Sequence, residues 1–205
     1  MVVMKGKLIC LEGIDGSGKE TQLGLILKFM KGRKVSVYKY PDEKSPFGRI
    51  IDAFLKKEIE LDALSQFFLY MLDIAKDQKE IERKLGDGET VLLDRYVFST
   101  IAYQCSKGIP FEKGVEMIET MNFLKPDLVL LLDILPEVSF ERKEKQKRMD
   151  RHEEDVELLR KVRENYLKLC EEKFLAGKWV KVDADGKPSE VFDVVRGFIA
   201  ELLKE

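Results

Sequence analysis

The chain has 205 residues, which is long enough to bury a sizeable hydrophobic core and is typical of one domain. Its formal net charge of −2 provides no overall basic field, so we expect no nucleic-acid partner. No stretch approaches the roughly 20 apolar residues that span a bilayer, and no apolar N-terminal segment has the form of a secretory signal, so we expect neither membrane insertion nor export.

The first predicted elements are a strand, a glycine-rich turn and a helix. Residues 8–11 form a short apolar run that is typical of a strand buried on both faces. Three glycines then lie close together: Gly13, Gly16 and Gly18. Glycines leave backbone N–H groups free to surround an anion, and the start of the helix at Lys19 also favours negative charge. The stretch 13–19 therefore predicts a phosphate-binding loop.

One position departs from the usual pattern of such a loop. The motif places Ser or Thr directly after the lysine, and its hydroxyl binds Mg²⁺. Here Glu20 takes that position and Thr21 follows. Either the carboxylate of Glu20 reaches Mg²⁺, directly or through water, or Thr21 or water takes the metal site and Glu20 caps the helix start. A carboxylate that faced a triphosphate without a metal between them would repel it, which favours the metal-linked role.

The next part of the chain contains two further strand patterns and the longest helical pattern. Strands are predicted at 34–40 and 90–93, and helices at 47–55 and 61–85. Apolar residues cover most of the circumference of the long helix early on, which indicates burial or an interface. The strand at 90–93 delivers Asp94 and Arg95 at its C-terminal end. There a carboxylate can orient Mg²⁺ or its waters and an arginine can clamp a phosphate; the plainer alternative is a capping Asp beside a surface Arg.

The C-terminal part continues the alternation of strands and helices. Strands are predicted at 126–133 and 178–182, and helices from 98, at 111–121, from 136, at 153–174 and at 190–203. A densely basic run at 142–151 follows the fourth strand. It is either a solvated helix face or a basic flap that closes over transferring phosphates.

This order of elements predicts the fold class. Strands that alternate with helices five times are typical of an α/β domain with a five-stranded parallel sheet. In such sheets, ligands bind outside the carboxyl ends of the strands. The phosphate loop and the Asp94–Arg95 pair both lie at such ends, so two independent signals indicate one edge of the sheet.

Other reactive side chains are few. His152 is the only histidine and has no partner signature for nucleophilic catalysis, so we interpret it as a surface residue. The three cysteines are widely spaced, which fits neither a disulfide framework nor a metal site and favours the reducing cytoplasm: Cys10, Cys105 and Cys170. Cys10 lies in the first strand, where we expect core packing.

Several segments together resemble the thymidylate kinase family. They are the loop EGIDGSGK with Thr21-Gln22, DRYVFS at 94–99 with AYQ at 102–104, KPDL at 125–128, DRHE at 150–153 with Arg163 and Tyr166, and VDA at 182–184 with Glu190-Val191. The segments cover nearly the whole chain in the family's order. The resemblance implies a three-layer α/β/α P-loop NTPase fold in one domain, 1–205, with a helical basic lid at about 142–154.

The resemblance also implies an activity. The reaction would be ATP + dTMP → ADP + dTDP, with ATP as co-substrate and Mg²⁺ as cofactor. The enzyme would be a cytoplasmic homodimer that associates through helices including the long apolar one.

Roles for individual residues follow from the same resemblance. The ATP-binding residues would be Gly13, Ile14, Asp15, Gly16, Ser17, Gly18, Lys19, Glu20 and Thr21, with Arg142 on the adenine side. The dTMP-binding residues would be Asp15, Tyr40, Pro41, Tyr70, Arg95, Ser99, Tyr103 and Gln104. Catalysis would depend on Lys19, Asp94, Arg95 and the lid residue Arg151, with Arg148 also in the lid, and Asp94 would help to organise the metal. The charge repulsion described above adds Glu20 as a metal-binding residue.

Two positions lose an arginine that the family usually has: Ile74 and Glu43. Near Ile74, Asp73 and Lys76 are candidate local replacements, whereas Glu43 has Lys39 and Lys44 as its charged neighbours in sequence. The losses remove positive charge from the predicted acceptor-phosphate site. Two other functions therefore stay open, namely a deoxynucleoside kinase of similar fold and a nucleotide-binding module with weak catalysis.

Overall fold

The structure is a computed structural model and describes residues 6–146 and 155–204, except for the side chains of residues 145 and 146. The strands are β1 (Leu8–Glu12), β2 (Val35–Lys39), β3 (Thr90–Asp94), β4 (Leu128–Asp133) and β5 (Lys178–Asp183). The helices are α1 (Lys19–Phe29), α2 (Pro46–Leu55), α3 (Ala63–Ala75), α4 (Gln78–Gly86), α5 (Val97–Cys105), α6 (Phe111–Glu119), α7 (Pro136–Gln146), α8 (Val156–Glu171) and α9 (Pro188–Leu202).

The five strands form one parallel sheet in the order β2-β3-β1-β4-β5, which confirms the predicted fold class. β1 lies in the centre and pairs with β3 on one side and with β4 on the other. The chain passes from β1 to the edge strand β2, returns to β3, and then crosses over β1 to β4. The carboxyl ends of these three strands meet at one edge of the sheet. A crevice at such a switch point is where open α/β sheets bind ligands.

Burial of apolar side chains explains the arrangement of the strands. Every residue of β1 and β3 is buried, because helices cover both faces of the central strands. The edge strand β5 instead alternates between buried and exposed residues. Helices α1 and α9 pack together, and α2, α3, α5 and α8 pack in series as a second group. Cys10 is fully buried in this core, as its position predicted.

The prediction of one long helix at 61–85 is wrong in one respect. The chain forms two helices there, α3 and α4, which meet at Lys76 and Asp77. The N–H of Asp77 donates to the carbonyl of Ile74 at 3.3 Å, a tighter turn than the α-helix. Lys76 Nζ donates to the carbonyl oxygen of Asp73 at 2.8 Å and to the Asp77 carboxylate at 2.7 Å. No glycine or proline lies between the two helices. The helical spacing of apolar residues in the sequence therefore gives no sign that the first helix ends there.

Candidate active site

The phosphate loop joins β1 to α1 at the carboxyl edge of the sheet. Its glycines all have positive φ: 141° at Gly13, 74° at Gly16 and 91° at Gly18. A Cβ on Gly13 would lie 2.5 Å from the carbonyl oxygen of Leu132, so a side chain is excluded there. Gly18 is the N-cap of α1 and supplies no side-chain cap. The first N–H groups of α1 are therefore available to an anion.

Lys19 lies over this loop. Its Nζ donates to the carbonyl oxygens of Gly13 at 2.9 Å and Ile14 at 3.1 Å, and the residue is 8% exposed. Burial, together with the nearby charge of Arg95, lowers the pKa of Lys19 to about 8. The ammonium group is thus held beside the loop by hydrogen bonds to uncharged carbonyl oxygens, and a charged phosphate can replace these acceptors.

Arg95 follows β3 with a left-handed backbone, φ 69°. One guanidinium nitrogen, Nη1, donates to Gly13 O at 3.2 Å, Ser99 Oγ at 3.2 Å and Tyr166 OH at 3.3 Å, and Nη2 is ion-paired with Asp15. The guanidinium therefore joins the phosphate loop to α5 and α8.

Asp15 is the anion of this pair. It also accepts a hydrogen bond from Tyr103 OH at 2.7 Å. Burial by itself would raise the pKa of Asp15, but Arg95 and Lys19 hold it well below its usual range. Asp15 is therefore a carboxylate at every pH near neutrality.

Glu12, the last residue of β1, also belongs to this network of contacts, and our sequence analysis assigned it no role. Its Oε1 accepts from the N–H of Tyr96 at 2.7 Å, and its Oε2 accepts from Ser99 Oγ at 2.7 Å and Tyr166 OH at 2.8 Å. Burial raises the pKa of Glu12, opposed by Arg95. The available signal was an acidic residue at the end of a fully apolar run, because a buried carboxylate requires partners.

A cavity of about 330 Å³, which we call the acceptor cavity, opens beside Arg95. Every residue that the resemblance implied for dTMP lines it: Asp15, Tyr40, Pro41, Tyr70, Arg95, Ser99, Tyr103 and Gln104. Lys39, Glu43, Leu55, Thr100 and Lys143 complete the lining. Within the described residues, two buried oxygens near this cavity have no hydrogen-bond partner, Gln104 Oε1 and Thr100 Oγ1. Such atoms carry an energetic cost until a ligand or water pairs with them.

A second opening of about 220 Å³, which we call the loop cleft, runs along the phosphate loop. It is lined by Asp15, Gly16, Gly18, Lys19, Glu20, Thr21, Lys39, Tyr40, Asp94, Arg95 and Lys143. Asp94 is 5% exposed, and its Oδ1 has no partner in the part of the chain that the structure describes. Glu20 is exposed at the same cleft. Carboxylate oxygens are the ligands that Mg²⁺ prefers, so this donor set fits the metal.

A third cavity, of about 390 Å³, lies on the far side of the loop and includes Arg142. The Nη1 of Arg142 donates to Gly16 O at 3.2 Å and its Nη2 to Asp185 O at 3.1 Å. Arg142 thus reaches the phosphate loop, where the resemblance implied a role on the adenine side. Arg148, Arg151 and His152 lie outside the described residues, as does the lid beyond residue 146.

The charged neighbours of Ile74 do not replace the missing arginine, which corrects one of our expectations. Lys76 Nζ lies within 3.3 Å of three carboxylates, those of Asp42, Asp73 and Asp77, and it does not line the acceptor cavity. Asp73 is fully buried and accepts from the N–H of Asp42 at 2.7 Å. Both side chains are occupied in fixing the loop after β2.

Comparison with known proteins agrees with this geometry. The family model described as thymidylate kinase matches residues 11–195. A thymidylate kinase of Caldicellulosiruptor saccharolyticus is 34% identical over 98% of this chain and 100% of its own, and one of Arabidopsis thaliana is 32% identical over 98% and 73%. A probable thymidylate kinase of Archaeoglobus fulgidus is 38% identical over 96% of each chain. The solved thymidylate kinase of Candida albicans superposes with a TM-score of 0.79 at 25% identity, covering 96% of this chain and 92% of that one.

A membrane-crossing helix is not found in the described ranges, since none of their helices is both long and apolar enough.

Proposed function

The chain belongs to the thymidylate kinase family, and we propose that it transfers the γ-phosphoryl group of ATP to dTMP where the loop cleft meets the acceptor cavity. It is an ATP-dependent phosphotransferase that produces dTDP. One observation carries the assignment to this place. The loop cleft and the acceptor cavity share the lining residues Asp15, Lys39, Tyr40, Arg95 and Lys143. A donor on the loop and an acceptor in the cavity would therefore meet at these side chains.

The roles of the residues follow from what phosphoryl transfer requires. The transition state is loose, so the protein must position the phosphates and neutralise their charge rather than supply a nucleophile. The N–H groups of the loop and Lys19 bind the ATP phosphates, and Arg95 binds the dTMP phosphate. A phosphate oxygen of dTMP is already anionic and attacks without a general base. The resemblance assigns the exclusion of water, which limits ATP hydrolysis, to the lid and its residue Arg151, which lies outside the described residues.

Recognition of the nucleoside is assigned to the walls of the acceptor cavity. Tyr70 stacks on thymine, and Asp15 binds the 3′-hydroxyl of the deoxyribose. The unpaired oxygens of Gln104 and Thr100 support a polar contact with the base, because a bound base supplies the partners that these atoms lack. Ser99 and Tyr103 line the sugar.

Asp94 and Glu20 are the residues that we assign to Mg²⁺. The unpaired Oδ1 of Asp94 supports this, and two carboxylates plus nucleotide phosphates are a usual ligand set for Mg²⁺. When bound, the ion neutralises charge on the β- and γ-phosphate oxygens. Glu20 lies at the mouth of the cleft, where it faces solvent and the incoming metal–nucleotide complex.

An acceptor profile tests the proposed function. We expect dTMP to be the preferred acceptor among dTMP, dUMP, dCMP, dGMP and AMP in an assay coupled to ADP release. One methyl group in an apolar pocket changes kcat/KM by about 10–200-fold. We therefore expect kcat/KM for dUMP, which lacks the methyl group of thymine, to be lower than that for dTMP by about this factor. Preference for a purine or cytidine nucleotide would contradict the proposal. Turnover of thymidine without turnover of dTMP would favour a deoxynucleoside kinase, and binding of both substrates without turnover would favour a nucleotide-binding module.

We also propose that the enzyme is a cytoplasmic homodimer. The free thiols of Cys10, Cys105 and Cys170 support a reducing compartment. Helix α3 supports the dimer, because it has one face in the core and an apolar stripe on the other. Leu64, Phe68 and Leu72 follow one another at four-residue spacing and are 50%, 42% and 48% exposed. A second copy of the chain would cover this stripe.

Charges on the stripe should separate the dimer. We expect the double variant Phe68→Glu, Leu72→Lys to sediment as a monomer at micromolar concentration, where the parent chain sediments as a dimer. Val194→Lys on α9 is the matched control, since Val194 is similarly exposed at 48% but lies on another helix. A parent chain that sediments as a monomer at this concentration would contradict the dimer.

A further inference from the structure

The acceptor-phosphate site of this chain depends on a cation that none of the expected arginines supplies. The two positions that lose an arginine hold Ile74, which is 1% exposed in the core, and Glu43, which lines the acceptor cavity as an anion. Two phosphate groups must nevertheless approach each other at the junction of the two openings. The described cations there are Lys19, Lys39, Arg95 and Lys143.

Arg95 cannot neutralise this charge by itself. Its ion pair with Asp15 already balances its charge, and its Nη1 is bonded to Gly13, Ser99 and Tyr166. It retains hydrogen-bond donors for a phosphate but contributes little net positive charge. Lys19 belongs to the donor side, because it lies on the phosphate loop. Lys143 already has an interaction partner. A second cation on the acceptor side that has no such partner is therefore required, and among the described cations Lys39 is the remaining candidate.

Lys39 has the position and the freedom for this task. It is the last residue of β2 and pairs in register with Asp94, and the N–H of Tyr40 extends the ladder to the carbonyl oxygen of Asp94 at 3.0 Å. The backbone of Lys39 is therefore fixed beside the end of β3. Its side chain is exposed and lines both the acceptor cavity and the loop cleft. In the described ranges, no hydrogen bond or ion pair engages its ammonium group.

We propose that Lys39 is a further catalytic residue, which binds the phosphate of the acceptor nucleotide and neutralises charge on the phosphoryl group as it is transferred. The inference rests on the proposed function. In the transfer, an oxygen of the acceptor phosphate forms a bond to the γ-phosphorus while the bond from that phosphorus to the β–γ bridging oxygen breaks, and the electron pair leaves with ADP. Lys39 keeps its proton throughout and stabilises the equatorial oxygens electrostatically.

Lys44 provides the matched control, because it is a nearby lysine on the same side of the molecule. It lines a neighbouring surface depression together with Lys39, but neither the acceptor cavity nor the loop cleft. Removal of the Lys44 charge changes the net charge of this surface by one unit, as removal of the Lys39 charge does. It takes no group away from the place where the acceptor cavity meets the loop cleft. A methionine at either position keeps a chain of similar length and removes the charge.

The test combines steady-state kinetics with calorimetry on Lys39→Met, Lys39→Arg and Lys44→Met. We expect Lys39→Met to lower kcat/KM for dTMP by about 10²–10³-fold with the KM for ATP within about twofold, as for loss of one preorganised charge-stabilising donor. Lys39→Arg should keep most of the activity, and Lys44→Met should stay within about twofold of the parent. By calorimetry, Lys39→Met should weaken dTMP binding but leave thymidine binding unchanged, since thymidine has no phosphate.

Two results would overturn the role of Lys39. One is activity of Lys39→Met within twofold of the parent, and the other is an equal loss of affinity for dTMP and thymidine, which a merely structural role would produce. An inactive parent enzyme would instead overturn the proposed function. In that case the calorimetric comparison of dTMP with thymidine still decides whether Lys39 binds the acceptor phosphate.

Discussion

Replacement of Lys19 by methionine is expected to lower kcat by about 10³-fold or more, with little change in the fold. In the described structure, Lys19 is the one residue of α1 whose side chain donates hydrogen bonds to the carbonyl oxygens of Gly13 and Ile14. Its charge would face the phosphoryl group being transferred. Lys28→Met is the matched control, since Lys28 lies in the last turn of the same helix and is exposed. Thermal unfolding checks that both variants fold.

The pH dependence of ATP binding gives an independent test of Lys19. With a pKa of about 8 in the nucleotide-free enzyme, Lys19 is protonated below pH 8 and loses its proton above it. Since the proposed role requires the protonated form, the apparent affinity for ATP should change little between about pH 7 and 8, where the terminal phosphate is already ionised, and should fall by up to about tenfold per pH unit above pH 8. The methionine variant cannot titrate at this position and should lack that slope. An identical slope in both proteins would assign the titration to another group.

Replacement of Arg95 by glutamine is the second change with a large expected effect. It removes the donors for the acceptor phosphate and leaves Asp15 as a poorly compensated carboxylate in the cleft. We expect kcat/KM for dTMP to fall by about 10³-fold and the free energy of unfolding to fall by about 3 kcal/mol. Arg95→Lys should retain part of the stability but not the activity, because an ammonium group lacks the planar fork that binds a phosphate through two hydrogen bonds.

The stability of the Arg95 variant should also differ in acid. In the parent protein, the folded-state pKa of Asp15 lies well below its ordinary value of 3.8, so the ion pair stabilises the fold fully above that value. This contribution is lost progressively as the pH falls from 3.8 towards the lower folded-state pKa. Arg95→Gln should lack this loss in an unfolding series between about pH 2 and 6. The double variant Asp15→Asn, Arg95→Gln should recover stability without activity, and full recovery of activity would contradict the assigned roles.

The fold was predictable because its signals are local. Apolar runs, glycines after the first strand, and the spacing of helical patterns depend only on neighbouring residues, and the parallel sheet follows from their alternation. The division of the long helix was not predictable in this way. The break coincides with Lys76, which pairs with Asp73 one turn earlier and with Asp42, a residue that reaches this point only in the folded chain.

The candidate site was predictable in part. Most of the predicted loop residues between Asp15 and Thr21, together with Asp94 and Arg95, line the two openings. Gly13, Ile14 and Ser17 do not, and the individual roles of all these residues stay predictions. Glu12 was assigned no role because its contacts are with Tyr96, Ser99 and Tyr166, which are distant in sequence. The position of Lys39 at the junction likewise depends on the pairing of β2 with β3, which no motif records.

The contacts of Glu12 have a consequence for the direction from which the acceptor approaches. The hydroxyls of Ser99 and Tyr166 lie within hydrogen-bond distance of Oε2 of Glu12 and of each other, and both accept from Nη1 of Arg95. One side of the guanidinium is thereby saturated by the protein. In the part of the chain that the structure describes, Nε of Arg95 makes no hydrogen bond, in contrast to Nη1 and Nη2. We therefore expect an acceptor phosphate to approach Arg95 from the Nε side rather than at Nη1.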